Sequence, residues 1–161
     1  KTIDKSGQSL PKLELAITET QRILGYADTS WMVGSPGETE ATIRDSVEFC
    51  KRTGLQPEVF FFVTAYPATA FWQLALERGL IRKAVTGEAG PADDDIIEEY
   101  FLRLGEQGEM VRTNFSEVLS DAQVEQLARE AVAELHPMGS RIREPHSGDV
   151  RSVVGATRAD L

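Results

Sequence analysis

Hydrophobic positions along the chain change period in a fixed order. From Lys12, the positions Leu13, Ala16, Ile17, Thr20 and Leu24 follow an i, i+3, i+4, i+7, i+11 series, which predicts an amphipathic helix stopped by Gly25. Before it, Gly7, Ser9 and Pro11 read as a loop that delivers a proline near the helix start. Thr29 to Val33 is a short apolar stretch that breaks into the turn Gly34-Ser-Pro-Gly37, after which Ile43, Val47 and Cys50 share the face of a second helix ending at Gly54. The run from Glu58 to Thr64 is apolar on both faces and built from Val and Phe, as a strand buried from both sides requires. Tyr66-Pro-Ala-Thr69 makes the next turn, and Phe71, Leu74 and Ala75 mark a third helix closed by Gly79.

Strand, glycine turn, helix, strand predicts an α/β fold with parallel strands, Thr29–Val33 beside Val59–Val63, joined by a helix over Thr39–Thr53. The helix-ending glycines at 25, 54 and 79 are 29 and 25 residues apart, near the roughly 31 residues per unit of a (β/α)8 barrel. The expected fold is therefore the C-terminal part of a partial (β/α) TIM-like barrel, followed by a helical extension. Because two parallel strands need neighbours and cover on both faces, further strands are expected upstream of Lys1. Downstream, Gly87 to Asp95 reads as a loop, and Ile97, Tyr100, Phe101 and Leu104 as one helical face ending at Gly105. Ser120-Asp-Ala-Gln123 fits a capping box for a last helix with Val124, Leu127, Ala128, Ala131 and Leu135 on one side. Past Pro137 periodicity is lost. The expected organisation is barrel part over 1–85, helical extension over 86–136 and a flexible tail over 137–161.

Composition narrows the chemistry. With 161 residues, 41% hydrophobic and 27% charged, the chain is ordinary globular material, and its net charge of −9 argues against nucleic-acid binding. No apolar run reaches the roughly 18 residues of a membrane span, and no secretory leader precedes the first helix, so a cytoplasmic protein is expected. Cys50 stands alone, which excludes an internal disulfide and any metal or cluster site built from cysteines of this chain. Both histidines, His136 and His146, fall in or beside the tail, leaving the body without imidazole and without Ser-His-Asp or H-E-x-x-H chemistry.

The turn Gly34-Ser-Pro-Gly-Glu-Thr39 stands out, because a glycine turn between a strand and a helix start aims backbone N–H groups outward, where they can meet the polar or anionic part of a small ligand. A plain strand-to-helix connection, with Pro36 fixing φ, Gly37 left-handed and Thr39 as cap, explains the same residues. The turn lacks the Gly-Lys-Ser/Thr ending of a nucleotide P-loop and is no Rossmann fingerprint. Cys50 reads as a buried thiol, Trp31 and Trp72 as core aromatics rather than adenine-stacking groups, and Asp93-Asp-Asp95 as a solvated cluster at a helix start rather than a cation site. Asn114-Phe-Ser116 matches a glycosylation acceptor but has no secretory context.

Trp31-Met-Val-Gly-Ser-Pro-Gly-Glu-Thr-Glu-Ala-Thr-Ile43, followed by a helix, a buried strand and Thr64-Ala-Tyr-Pro-Ala-Thr69, resembles the C-terminal half of the radical SAM barrel. The resemblance runs from about Lys5 to Ile81 and is nearest to the branch that often carries a cobalamin-binding domain and acts on lipids, tetrapyrroles or other secondary metabolites. Asn114 to Leu135 is similar to that branch's C-terminal extension. The resemblance implies cofactor contacts to S-adenosylmethionine from Met32, Val33, Gly34, Pro36, Gly37 and Glu38 of the first turn and Tyr66, Pro67 and Thr69 of the second. It also implies a 4Fe-4S cluster, cobalamin in the parent protein and a small-molecule or metabolite substrate. The chain departs from the family in Ala68, where a glycine is usual, and in lacking both the three-cysteine motif and the acidic-Ser element of the preceding strand. The resemblance therefore implies that the cluster ligands lie in a missing N-terminal half. The alternative is a truncated, non-enzymatic binding or scaffold module.

Overall fold

A computed structural model describes residues 9–105 and 111–136; the tail expected over 137–161 lies outside the described residues. The order is α1 (Leu10–Leu24), β1 (Trp31–Val33), α2 (Glu40–Thr53), β2 (Phe60–Phe62), α3 (Ala70–Glu77), α4 (Leu80–Thr86), α5 (Asp94–Gly105) and α6 (Asp121–Leu135). The fold is α/β and mostly helical. β1 and β2 pair in parallel, with Trp31 opposite Phe60, Met32 opposite Phe61 and Val33 opposite Phe62. Val63 N–H continues the ladder to Val33 O at 2.9 Å.

Local chemistry sets the element ends. Ser9 caps α1, with Pro11 in the first turn where its missing N–H has no partner to lose. Thr39 and Thr42 bond each other's backbone N–H at the start of α2, and Ser120 and Gln123 do the same for α6. Gly79, read from the sequence as a helix stop, follows the end of α3 at Glu77, its N–H donating to Leu76 O, and at φ 68° it also starts a short helix, α4, that the sequence reading did not include. The missed helix follows directly from that glycine, because one left-handed residue can end one helix and cap the next.

Two hydrophobic clusters build the core. Val33, Phe60, Ile43, Val47, Cys50 and Ile17 pack with Val124, Leu127, Ala128, Ala131 and Leu135 of α6, all five of which the periodicity assigned to one face. Val63, Ala65, Trp72, Ala75, Ile81 and Tyr100 gather with Val111 and Phe115 in the second cluster. The helical extension is thus built into both clusters. Strand alternation sends Met32 and Phe61 to the sheet face opposite Val33 and Phe60. On that face Met32 is 51% exposed and Phe61 half-buried. The strand expected to be buried from both sides is covered well on one, by helices.

The predicted face of α1 is also corrected. Ile17 is buried, but Leu13, Ala16, Thr20 and Leu24 are exposed. The reason is reach: α1 meets α2 along an adjacent strip, where Gln21 Nε2 donates to Thr53 O at 3.0 Å and Arg52 pairs with Glu14 at 3.3 Å. Among the described residues, no helix is long and apolar enough to cross a membrane.

Where β1 and β2 splay at their carboxyl ends, residues 111–115 enter. Thr113 N–H donates to Val63 O at 2.9 Å and Phe115 N–H to Gly34 O at 2.7 Å, so the gap between the strands is closed by backbone from 50 residues downstream. Ala65 N–H donates to Thr113 Oγ1 at 3.2 Å, and the buried Tyr100 hydroxyl donates to Ala65 O at 3.0 Å. Burial pushes the Tyr100 phenol above its ordinary pKa. No buried side-chain polar atom among the described residues lacks a partner.

A Cβ at Gly79 would lie 2.5 Å from Gly90 N and 2.8 Å from Gly90 O, whereas one at Gly87, with similar φ, meets nothing within 4 Å. Both Gly79→Ala and Gly87→Ala carry the left-handed penalty of about 1 kcal/mol, and only the former adds a backbone clash. Urea unfolding should show Gly79→Ala losing at least about twice the stability that Gly87→Ala loses.

Candidate functional site

The site is assembled at the carboxyl ends of the two strands, where ligands of parallel α/β sheets gather. β1 ends at Val33, and Gly34 at φ 86° and Gly37 at φ 76° swing the chain from strand to helix start. A Cβ on Gly34 would stand 3.3 Å from Thr113 O and 3.5 Å from Asn114 Cα. The crowding that a side chain would cause there comes from this chain's own segment.

The amides of the turn do not stand open. Glu38 Oε2 accepts from Gly34 N–H and, at 3.4 Å, from Ser35 N–H. Glu117 Oε2 accepts from Gly37 N–H at 2.9 Å while its Oε1 accepts from Arg78 Nη1 at 2.7 Å. Ser116 Oγ donates to Glu38 O at 2.7 Å. Outward amides beside a helix start attract the nearest anion, and the sequence supplies two carboxylates within reach. Burial pushes the Glu38 carboxyl above its ordinary range against the pull of the Gly34 and Ser35 amides. The Gly37 amide, followed by the Arg78 guanidinium, holds Glu117 below that range. What the turn shows a ligand is therefore carboxylate oxygen, suited to hydroxyl and ammonium donors rather than to an anion.

The two predicted turns leave the same end of the parallel pair. Met32 is exposed on the less covered sheet face, while the Val33 side chain is buried in the helical core and can act only through its backbone. Gly34 is buried, Pro36 and Glu38 half-buried, and Gly37 exposed. Tyr66, Pro67 and Thr69 are all exposed. Thr69 Oγ1 accepts from Trp72 N–H at 3.1 Å as the α3 cap and donates to Tyr66 O at 2.6 Å. Ala68 takes φ 62°, the one positive φ of a non-glycine residue among those described.

Other candidates resolve into structure. Trp31 packs on Phe49 and Phe60 with ring centroids 5.9 and 6.0 Å apart, and Trp72 on Tyr100 and Phe101 at 5.5 Å each. Cys50 is fully buried, and burial pushes its thiol up to about 11, so it is no thiolate ligand. Asp93 Oδ1 accepts from Ile96 N–H at 3.0 Å at the start of α5. Among the described residues no group of three or more His, Cys, Asp or Glu is placed to hold a metal ion. A groove of about 670 Å³ lies along β2 beside Lys83, Arg103 and Arg112 and includes none of the nine predicted residues. Arg78, Ser116 and Glu117 were not foreseen; the Asn-Phe-Ser-Glu117 stretch stands out in the sequence, but nothing in its spacing points to a turn 80 residues earlier.

No protein-family model, curated protein or solved structure matches this chain.

Two outcomes follow from this geometry. Ala68→Gly should stabilise the chain by about 1 kcal/mol, read as a raised urea midpoint, since glycine takes φ 62° without the side-chain penalty. Glu38 has a folded pKa above its ordinary 4.5, so its contribution to stability is present below that value and lost as pH rises through the folded pKa. Glu38→Gln removes the titrating group, and wild type should lose stability relative to it as pH is raised upward from about 4.5. Urea midpoints of the two proteins across that window measure the difference.

Proposed function

We propose that this chain is the C-terminal portion of a radical SAM enzyme and that the turn Gly34–Glu38 helps bind S-adenosylmethionine beside a 4Fe-4S cluster for radical-based modification of a small molecule or metabolite. The parallel β1–α2–β2 unit with both turns at its carboxyl end supports the reading. The finer architecture, a partial (β/α) barrel, belongs to the same proposal, as do a cytoplasmic location and cobalamin in the parent.

The observation that carries it is the carboxylate rim. Glu38 and Glu117 consume the turn's amides and leave acceptor lone pairs at the strand end. The ribose diol and the ammonium of S-adenosylmethionine are donors, and a carboxylate beside a glycine turn is the group that recognises a ribose diol in other nucleotide sites. Exposed Met32 and Tyr66 offer apolar and aromatic surface near that rim. The described residues do not fit the cluster, because their one cysteine, Cys50, is fully buried in the helical core. Bound together, cluster and S-adenosylmethionine would supply the radical chemistry. This chain's residues bind and orient: Glu38 holds the turn and accepts from the ligand, and Gly34 lets residues 113–114 lie against the strand end.

The non-enzymatic module is favoured by one specific observation, the closure of the gap between the strand ends by Thr113 and Phe115. The two readings separate in the parent protein reconstituted with iron and sulfide. The enzyme reading expects release of 5′-deoxyadenosine, and a Glu38→Ala variant whose S-adenosylmethionine affinity falls about tenfold or more, the scale of a lost charge-assisted hydrogen bond. A cluster-loaded parent that neither binds S-adenosylmethionine in equilibrium dialysis nor releases deoxyadenosine would leave the module.

A further inference from the structure

We infer that Glu117 is a positioning residue for the glycine turn, reaching across 80 residues of sequence to clamp Gly37 and so fix the carboxylate of Glu38 at the strand end. The turn has two glycines at positive φ. Its internal backbone bond is Glu38 N–H to Ser35 O at 3.1 Å. Within the turn Glu38 Oε2 also accepts from Gly34 and Ser35 N–H, and three further contacts arrive from Phe115 to Glu117: the Phe115 N–H on Gly34 O, the Ser116 hydroxyl on Glu38 O and the Glu117 carboxylate on Gly37 N–H.

These three contacts divide the labour. The first two end on carbonyl oxygens within the turn and are neutral. The third bridges a turn amide to a guanidinium, since Glu117 binds Gly37 with one oxygen and Arg78 with the other. Arg78 is itself fastened, donating also to Phe115 O at 3.1 Å from the corner between α3 and α4. The clamp thus ties the first predicted turn to the helix that follows the second one. Arg78 is the charged group facing Glu117 there; Glu38, the other carboxylate of the turn, faces Gly34 and Ser35 on the opposite side. With Gly37 held, the chain from Gly34 to Glu38 has one way to close, and the Glu38 oxygens keep their direction. Freed, Gly37 regains the φ freedom that only glycine has.

The clamp itself rests on the geometry alone; its consequence for S-adenosylmethionine rests on the function proposed above, and the test has one arm for each. Nuclear magnetic resonance of the 161-residue chain follows the Gly37 amide through a pH titration. Wild type should show the Gly37 resonance moving below the ordinary carboxylate range, Glu117→Gln should show no such movement, and Arg78→Ala should keep it with a midpoint displaced upward. Glu117 and Arg78 lie partly in solvent, so these variants retain the buried core. In the reconstituted parent, Glu117→Gln should weaken S-adenosylmethionine binding about tenfold, equivalent to 1.4 kcal/mol, with an unchanged melting temperature. A Gly37 titration identical in wild type and Glu117→Gln overturns the clamp, and so does a measurable S-adenosylmethionine affinity equal in both. If the titration vanishes in Glu117→Gln while neither parent binds S-adenosylmethionine, the clamp stands and the cofactor reading falls.

Discussion

Insertion of Thr113 and Phe115 between the diverging ends of β1 and β2 is the contact on which the rest depends. A parallel pair three residues long has few ladder bonds, and its carbonyls at the splayed end would face water or a void. The inserted segment takes Val63 O and Gly34 O, and its side chains bury almost completely: Thr113 and Phe115 are each 1% exposed. A buried polar residue is tolerable there because its hydroxyl accepts from Ala65 N–H, which in turn puts Ala65 O within reach of Tyr100. One short stretch of chain therefore ends the sheet, seeds the second hydrophobic cluster and steers residues 116–117 onto the glycine turn.

The same contact explains why the turn is a set of acceptors. Backbone donors at a strand end are normally met by solvent or ligand, but bringing Ser116 and Glu117 alongside satisfies them from within. The two carboxylates that bind the turn's amides, Glu38 within it and Glu117 against it, then feel opposite environments. Glu38 loses water faster than its amide partners compensate, whereas the half-exposed Glu117 gains the Gly37 amide and then the Arg78 guanidinium without being buried. The same side chain in two surroundings is shifted to opposite sides of its ordinary value.

Much of the fold was legible in sequence because its signals are local. Period-3.6 spacing placed α6 and its five buried residues, the Val-Phe run placed β2, and the Ser120 box placed a helix start to the residue. The parallel pairing followed from the order strand, glycine turn, helix, strand. What local signals did not carry is direction: periodicity found an apolar stripe on α1 but not that α2 would meet the strip beside it, leaving Leu24 62% exposed. Nor could spacing show that Gly79 opens a helix, since stop and start share one φ. The candidate site was legible as a glycine turn and no further. Its amides are filled by Glu117, and a contact between residues 37 and 117 leaves no trace in any window of eighteen residues.

That separation has a consequence during synthesis. Residue 113 leaves the ribosome 50 residues after residue 63, and at about 5–20 residues per second the strands wait roughly 3–10 s for the segment that closes them. Through that interval the Phe60–Val63 strand has its neighbour β1 and helix α2 but neither Thr113 nor α6, so a nascent chain carries an unfinished sheet end within reach of any chaperone that reads exposed phenylalanine. The segment that closes the sheet end is also the piece that decides when the first turn becomes a site.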